Sequence, residues 1–208
     1  MSHGHAALFD ALPAMPTLTP RQGTELSQRL LHLTEARLQH VRTALEAAAP
    51  DLATAAESLL ATCLQGHRVY LCPQPETLAL AERAAALLLR GMIQARPGLP
   101  VILLHPLPGE RPGCAQQIGC LALPGDAMFA FHGARTDGLE GLIDTVRLLD
   151  MRLILLGGPV SEGVASRLRE DDLVIQLVTP CPASLHEAGL AAVHALCDTL
   201  DRRLLGLA

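Results

Sequence analysis

Residues 68–92, RVYLCPQPETLALAERAAALLLRGM, constrain the chain more than any other stretch. A short aliphatic run, Arg68 to Cys72, is entered from Gly66 and left at Pro73, the pattern of a buried strand. From about Thr77 the pattern turns helical, with Leu78, Leu80, Leu87, Leu88, Leu89 and Met92 around Glu82 and Arg83. The Thr77 hydroxyl is placed to cap that helix. Parallel α/β proteins bind ligands at such strand-to-helix turns, because the helix N-terminus offers unpaired N–H groups and partial positive charge. Here the turn is Pro73-Gln74-Pro75-Glu76. Two prolines remove two donors, no glycine lets a phosphate approach the backbone, and Glu76 adds negative charge where an anion would sit. The expectation is an anion-binding scaffold whose main anion loop is dismantled.

The same alternation continues downstream. Aliphatic strands are expected at 100–104, 127–131, 152–156 and 173–178, with helices over 114–121, up to about 149, over 162–169 and over 182–205. Five strands alternating with helices predict a three-layer α/β/α sandwich around a doubly wound parallel sheet. Ahead of the first strand, 24–48 reads as a helix in which Leu31, Leu38 and Leu45 recur every seven residues, with Val41 between. That narrow stripe needs a partner surface, and another subunit fits. Pro50-Asp51 is expected to restart a second helix, capped by Asp51 and running to about Leu64. Residues 1–20, with His3, His5 and three prolines, read as a loose tail, and 21–208 as one domain whose helices at about 24–64 serve oligomerisation.

Half of the 208 residues are apolar and only 2% are aromatic, so leucine, alanine and valine fill the core. All sixteen basic residues are arginine, a pattern best ascribed to coding-DNA composition, and the net charge of -5 without a basic cluster argues against direct nucleic-acid binding. The six cysteines lack CxxC spacing and several sit in apolar runs, so they read as reduced thiols of a cytoplasmic protein. No apolar run approaches the roughly 18 residues of a membrane span.

At this point the residues resemble the sugar isomerase (SIS) domain family, in the branch holding phosphoheptose isomerase and the DnaA initiator-associating protein. That branch's signature after strand one, approximately C-G-N-G-G-S-A-A-D-A-Q-H-F-A-A-E-L, overlays Cys72 to Leu88 without a gap. Arg96-Pro97-Gly98-Leu99-Pro100, Pro124-Gly125-Asp126, Asp150-Met151 and the closing-helix residues Glu187, His194, Leu196, Cys197 and Asp198 extend the resemblance over about 26–205. It implies an SIS fold with flavodoxin-like strand order and a tetramer. The departures bear on function. Thr77 stands in for a phosphate-binding serine, and the hydroxyl-rich loop after strand three reads His132-Gly133-Ala134-Arg135-Thr136-Asp137. The isomerase's metal-binding and proton-transfer residues of the first helix fall on Arg83 and Leu87, and roughly ten residues of the pocket after strand two are missing. Only His194 matches a catalytic position.

An aldose–ketose isomerase needs a base and an acid facing each other across its substrate. His194 is the residual candidate, and a leucine at 87 cannot partner it. The expected ligand-binding set is Gln74, Thr77, Arg135, Thr136, His186 and Glu187, in which Arg135 is the best remaining anion contact unless it pairs with Asp137 or Glu76. His186 and His194, some 12 Å apart along one helix, are too far apart for a shared metal, so neither metal nor cofactor is expected. Leu204 and Leu205 fall where the initiator-associating branch meets its partner. The expected function is a non-catalytic, homo-oligomeric binding or regulatory module, with the replication initiator as one partner. The alternatives are a divergent phosphoheptose isomerase or sugar-phosphate-binding protein, and a binder of neutral or cationic small molecules with Glu76 in its pocket.

Overall fold

The computed structural model describes residues 19–105 and 113–207, so the expected tail falls almost wholly outside the described residues. The chain divides into two compact units, 1–37 and 38–208. The larger unit holds five strands: β1 (Val69–Pro73), β2 (Val101–Leu103), β3 (Ala127–Phe131), β4 (Arg152–Gly157) and β5 (Leu173–Gln176). All pair in parallel, in the order β2-β1-β3-β4-β5. This is the flavodoxin-like order, with its direction of winding reversed between β1 and β3.

Alternation along each strand builds two cores. Val69 and Leu71 of β1, Phe129 and Phe131 of β3, and Ile154 and Leu156 of β4 join one cluster. They are covered by residues 44–60 of α1 (Pro20–Leu64), by α2 (Leu78–Arg90) and by α6 (Pro182–Leu205). Tyr70, Met128, Ala130, Leu153 and Leu155 face the opposite way, onto α3 (Gly113–Leu121), α4 (Leu139–Leu148) and the single turn α5 (Glu162–Ala165). Every residue of β1 and β3 is buried, as a parallel sheet covered on both faces requires. The one phenol is satisfied as well: Tyr70 Oη donates to the Leu121 carbonyl at 2.8 Å.

Two sequence expectations are corrected. Asp51 does not cap a new helix, because α1 runs unbroken from Pro20 through Pro50 to Leu64. A proline inside a helix forfeits a hydrogen bond and crowds the carbonyl four residues back. Ala44 and Ala48 before it and Leu52, Ala55 and Leu59 after it are all buried, and that shared apolar face outweighs the local cost. The leucine repeat also divides. Leu45 packs on the core, whereas Leu31 and Leu38 are 67% and 62% exposed. Thr77 does not cap α2 through its side chain either, for a reason that belongs to the site.

A buried ion pair fixes the α2–β2 connection to the last helix. Arg96 Nε donates to Asp201 Oδ1 at 2.6 Å, with side chains 4% and 0% exposed. Asp201 Oδ2 also accepts the Met92 and Ile93 amides. Burial alone would raise the Asp201 pKa, but the two amides and Arg96 outweigh it and hold the carboxyl below its ordinary value. α2 itself ends at Gly91, whose φ of +85° and close approach to the Gln94 carbonyl leave no room for a Cβ. Breaking one side of a buried pair costs about 3–5 kcal/mol, so Asp201→Ala is expected to lower the urea-unfolding free energy by that order. A carboxyl with a depressed folded-state pKa stabilises above its unfolded value, about pH 4, and that stability is lost as pH falls through the lower folded value. The variant is therefore expected to show a flatter acid limb in a stability-versus-pH series.

Candidate functional site

β1 and β3 end side by side, with Pro73 opposite Phe131. The chain leaves β1 through Gln74 into a single 3-10 turn, Pro75–Thr77. It leaves β3 into His132–Gly138. The Gln74 amide donates to the Phe131 carbonyl at 3.0 Å, and Thr77 Oγ1 donates to the same carbonyl at 2.9 Å. That is why Thr77 does not cap α2: its hydroxyl is spent across the sheet end, where it also accepts the Gln74 amide.

The Gln74 side chain locks the two turns together. Its Oε1 accepts the Gly133 amide at 3.0 Å and its Nε2 donates to the Asp137 carbonyl at 3.1 Å. Gly158 N–H donates to Gly133 O, and His132 N–H to Leu156 O. The donors at Gln74 N, Thr77 N, Thr77 Oγ1, Gly133 N and Gly158 N are thus all engaged within the protein. The prolines thin the donor set, and Gln74 occupies much of what remains.

A cavity of about 240 Å³ nonetheless opens beside this lock, at the point where the winding reverses. Glu76 and Thr77 line it from the β1 side, and His132, Gly133, Ala134 and Arg135 from the β3 side. Leu156 and Gly157 close it at β4, and Pro182, Leu185, His186 and Gly189 of α6 form the remaining wall. Two glycines make room. A Cβ on Gly157 would lie 2.6 Å from the His132 ring, and one on Gly133 would lie 2.8 Å from Glu76 Oε1.

The charges do not resemble those of an open phosphate site. Arg135 Nε contacts Asp137 Oδ2 at 2.6 Å, so the guanidinium is already paired. Glu76 has no ion-pair partner among the described residues. His132 is 2% exposed, and burial lowers its pKa against the opposing pull of the Gly133 carbonyl and Glu76. Its imidazole is therefore neutral near pH 7.

Of the residues expected to bind ligand, Thr77, Arg135 and His186 line the cavity, and Gln74 braces it from behind. Thr136 donates to Ser161 Oγ at 3.0 Å and, like Glu187, lies off the wall. His194 is also off it: Arg83 Nε donates to His194 Nε2 at 3.1 Å. Burial, and then the Arg83 charge, lower the His194 pKa, so this histidine is a neutral acceptor. Leu87 is buried in the core. Leu204 packs against the same core, and Leu205 is half-buried. Sequence reasoning passed over His132 as a wall residue. The available signal was its place directly after β3, beside the winding reversal.

No family model matches the sequence. A phosphoheptose isomerase of Thiobacillus denitrificans is 26% identical over 194 residues, spanning 88% of this chain and 98% of its own. One from Shewanella sediminis is 29% identical over 173 residues, spanning 76% and 86%. The chain is thus similar in sequence to phosphoheptose isomerases over most of its length. Its fold matches the structure of a phosphoheptose isomerase from Francisella tularensis, with a TM-score of 0.73 over 84% of this chain and 97% of that one, at 21% identity.

Without the Gln74 side chain, the Gly133 amide would be free to meet a ligand. Gln74→Ala removes two hydrogen bonds, one partly buried and one exposed, worth roughly 1 kcal/mol each. The variant is expected to be destabilised by about 2 kcal/mol in urea, with the Gly133 amide exchanging its proton faster by NMR. An unchanged exchange rate would mean that Gln74 does not hold the two turns.

Proposed function

We propose that this protein binds a phosphorylated sugar in the cavity between the β1 and β3 turns. The observation that carries the reading is position: the cavity lies outside the carboxyl ends of β1 and β3, where a doubly wound sheet reverses and where such folds hold ligands. Its apolar walls suit a sugar ring. The phosphate is directed to Arg135, which lines the cavity and whose bond to Asp137 engages Nε, leaving its terminal N–H groups to donate. The engaged donors of the 74–77 turn and the Glu76 carboxylate speak against that turn as the phosphate seat.

Isomerase turnover is a second reading, favoured by the names of the two related proteins. Arg83, Leu87 and His194 give it no support, because none of them lines the cavity. A base and an acid for proton transfer between adjacent carbons would come from Glu76, His132 and His186, the titratable wall residues beside Arg135. The exposed leucines of α1, among them Leu31 and Leu38, support assembly as a homo-oligomer.

A sugar phosphate at about 100 times its Kd is expected to add about 2.7 kcal/mol of stability, read as a rise in Tm. Arg135→Ala is expected to reduce that rise, and the unphosphorylated sugar to give less of it. Incubation with sedoheptulose 7-phosphate separates the two readings. Turnover lost in Glu76→Gln and kept in His194→Ala would establish an isomerase working from the cavity wall. A Tm rise without turnover is the outcome expected of a binding protein.

A further inference from the structure

His132 Nδ1 lies 3.1 Å from the Gly133 carbonyl oxygen. A carbonyl only accepts, so Nδ1 carries the ring proton, and in the neutral imidazole Nε2 is then an acceptor. That Nε2 is buried and has no hydrogen-bond partner. Among the described residues it is the one such atom on a residue lining the cavity. A buried polar atom left unmatched costs free energy, and a ligand supplying the matching group recovers it.

The group required is a donor. Glu76, whose Oε1 rests against Gly133, adds a second acceptor and a full negative charge close enough to act on His132. Arg135, the cation on the same wall, is held by Asp137. The Thr77 hydroxyl is committed to Phe131 O. His132 Nε2 and the Glu76 carboxylate thus stand as two acceptors on lining residues, the second without an ion-pair partner among the described residues. A hydroxyl has a single proton for this pair. A protonated primary amine has three, together with the opposite charge.

We propose that the cavity selects an amino sugar over the corresponding hydroxy sugar, the ligand's ammonium group donating to the Glu76 carboxylate and to His132 Nε2. This rests on the sugar-phosphate reading above, with the phosphate toward Arg135 and the amine toward Glu76. The two ends of the ligand are then recognised by opposite charges on opposite turns.

Calorimetric titration of the full chain with glucosamine 6-phosphate, glucose 6-phosphate and glucosamine tests it. Glucosamine 6-phosphate is expected to bind at least about tenfold more tightly than glucose 6-phosphate, the scale of a charge-assisted hydrogen bond. Glu76→Gln, on an exposed turn, is expected to bring the two phosphates to nearly equal affinity. His132→Phe, which keeps a ring and deletes the acceptor, is expected to weaken the amino sugar more than the hydroxy sugar. Equal affinities in the wild type, or a preference that survives Glu76→Gln, would overturn the selectivity while leaving the sugar-phosphate reading in place. Glucosamine binding that depends on Glu76, without binding of glucose 6-phosphate, would support the amine site and remove the phosphate. Silence from all three ligands would overturn both.

Discussion

Burial of the sheet on both faces is the constraint from which the rest of the molecule follows. The inner strands β1 and β3 have no solvent-facing side, so alternate residues must be apolar in both directions, and function is confined to the strand ends. β1 and β3 meet this condition at every position. Their carboxyl ends lie together because the order of the sheet reverses between them. The cavity is therefore a product of topology, and the side chains around it decide only what it accepts.

Those side chains have changed the character of the place. Backbone amides and hydroxyls that a glycine-rich turn would present outward are bonded inward, many of them by Gln74 and Thr77. The Pro-Gln-Pro-Glu turn thus does more than lack donors. Its Gln74 Oε1 accepts the Gly133 amide inside the protein, a hydrogen bond that a bound anion could otherwise accept. Glu76 and His132 Nε2 remain as unmatched acceptors on lining residues, and this links the loop sequence to ligand chemistry.

Much of the fold was legible in the sequence. Strands bounded by Gly and Pro, such as 127–131 after Pro124-Gly125, stood out because a two-sided sheet demands unbroken aliphatic runs. Pro50 was misread because its local cost is visible in the sequence, whereas the packing of Leu52, Ala55 and Leu59 that offsets it is not. Thr77 was misread for a similar reason. Its cap position is a local pattern, but the carbonyl that claims its hydroxyl belongs to Phe131, 54 residues away. At the site, the two prolines and the missing glycines of the 73–76 turn were readable from residue types alone. The neutral tautomer of His132 and the pairing of Arg135 with Asp137 depend on rotamers and burial, which no spacing rule encodes.

The carboxylate of Asp201 has a temporal consequence. It gathers the amides that follow α2 from 109 residues further along the chain. At ribosomal speeds of about 5–20 residues per second, that partner emerges roughly 5 to 20 seconds after the segment it must hold. During this interval the turn around Met92 and Ile93 has no permanent acceptor, and Arg96 has no counter-charge. The nascent polypeptide thus passes through a stage in which strands one to five are already translated while the Asp201 carboxylate that holds the peptide linking the first two has yet to emerge.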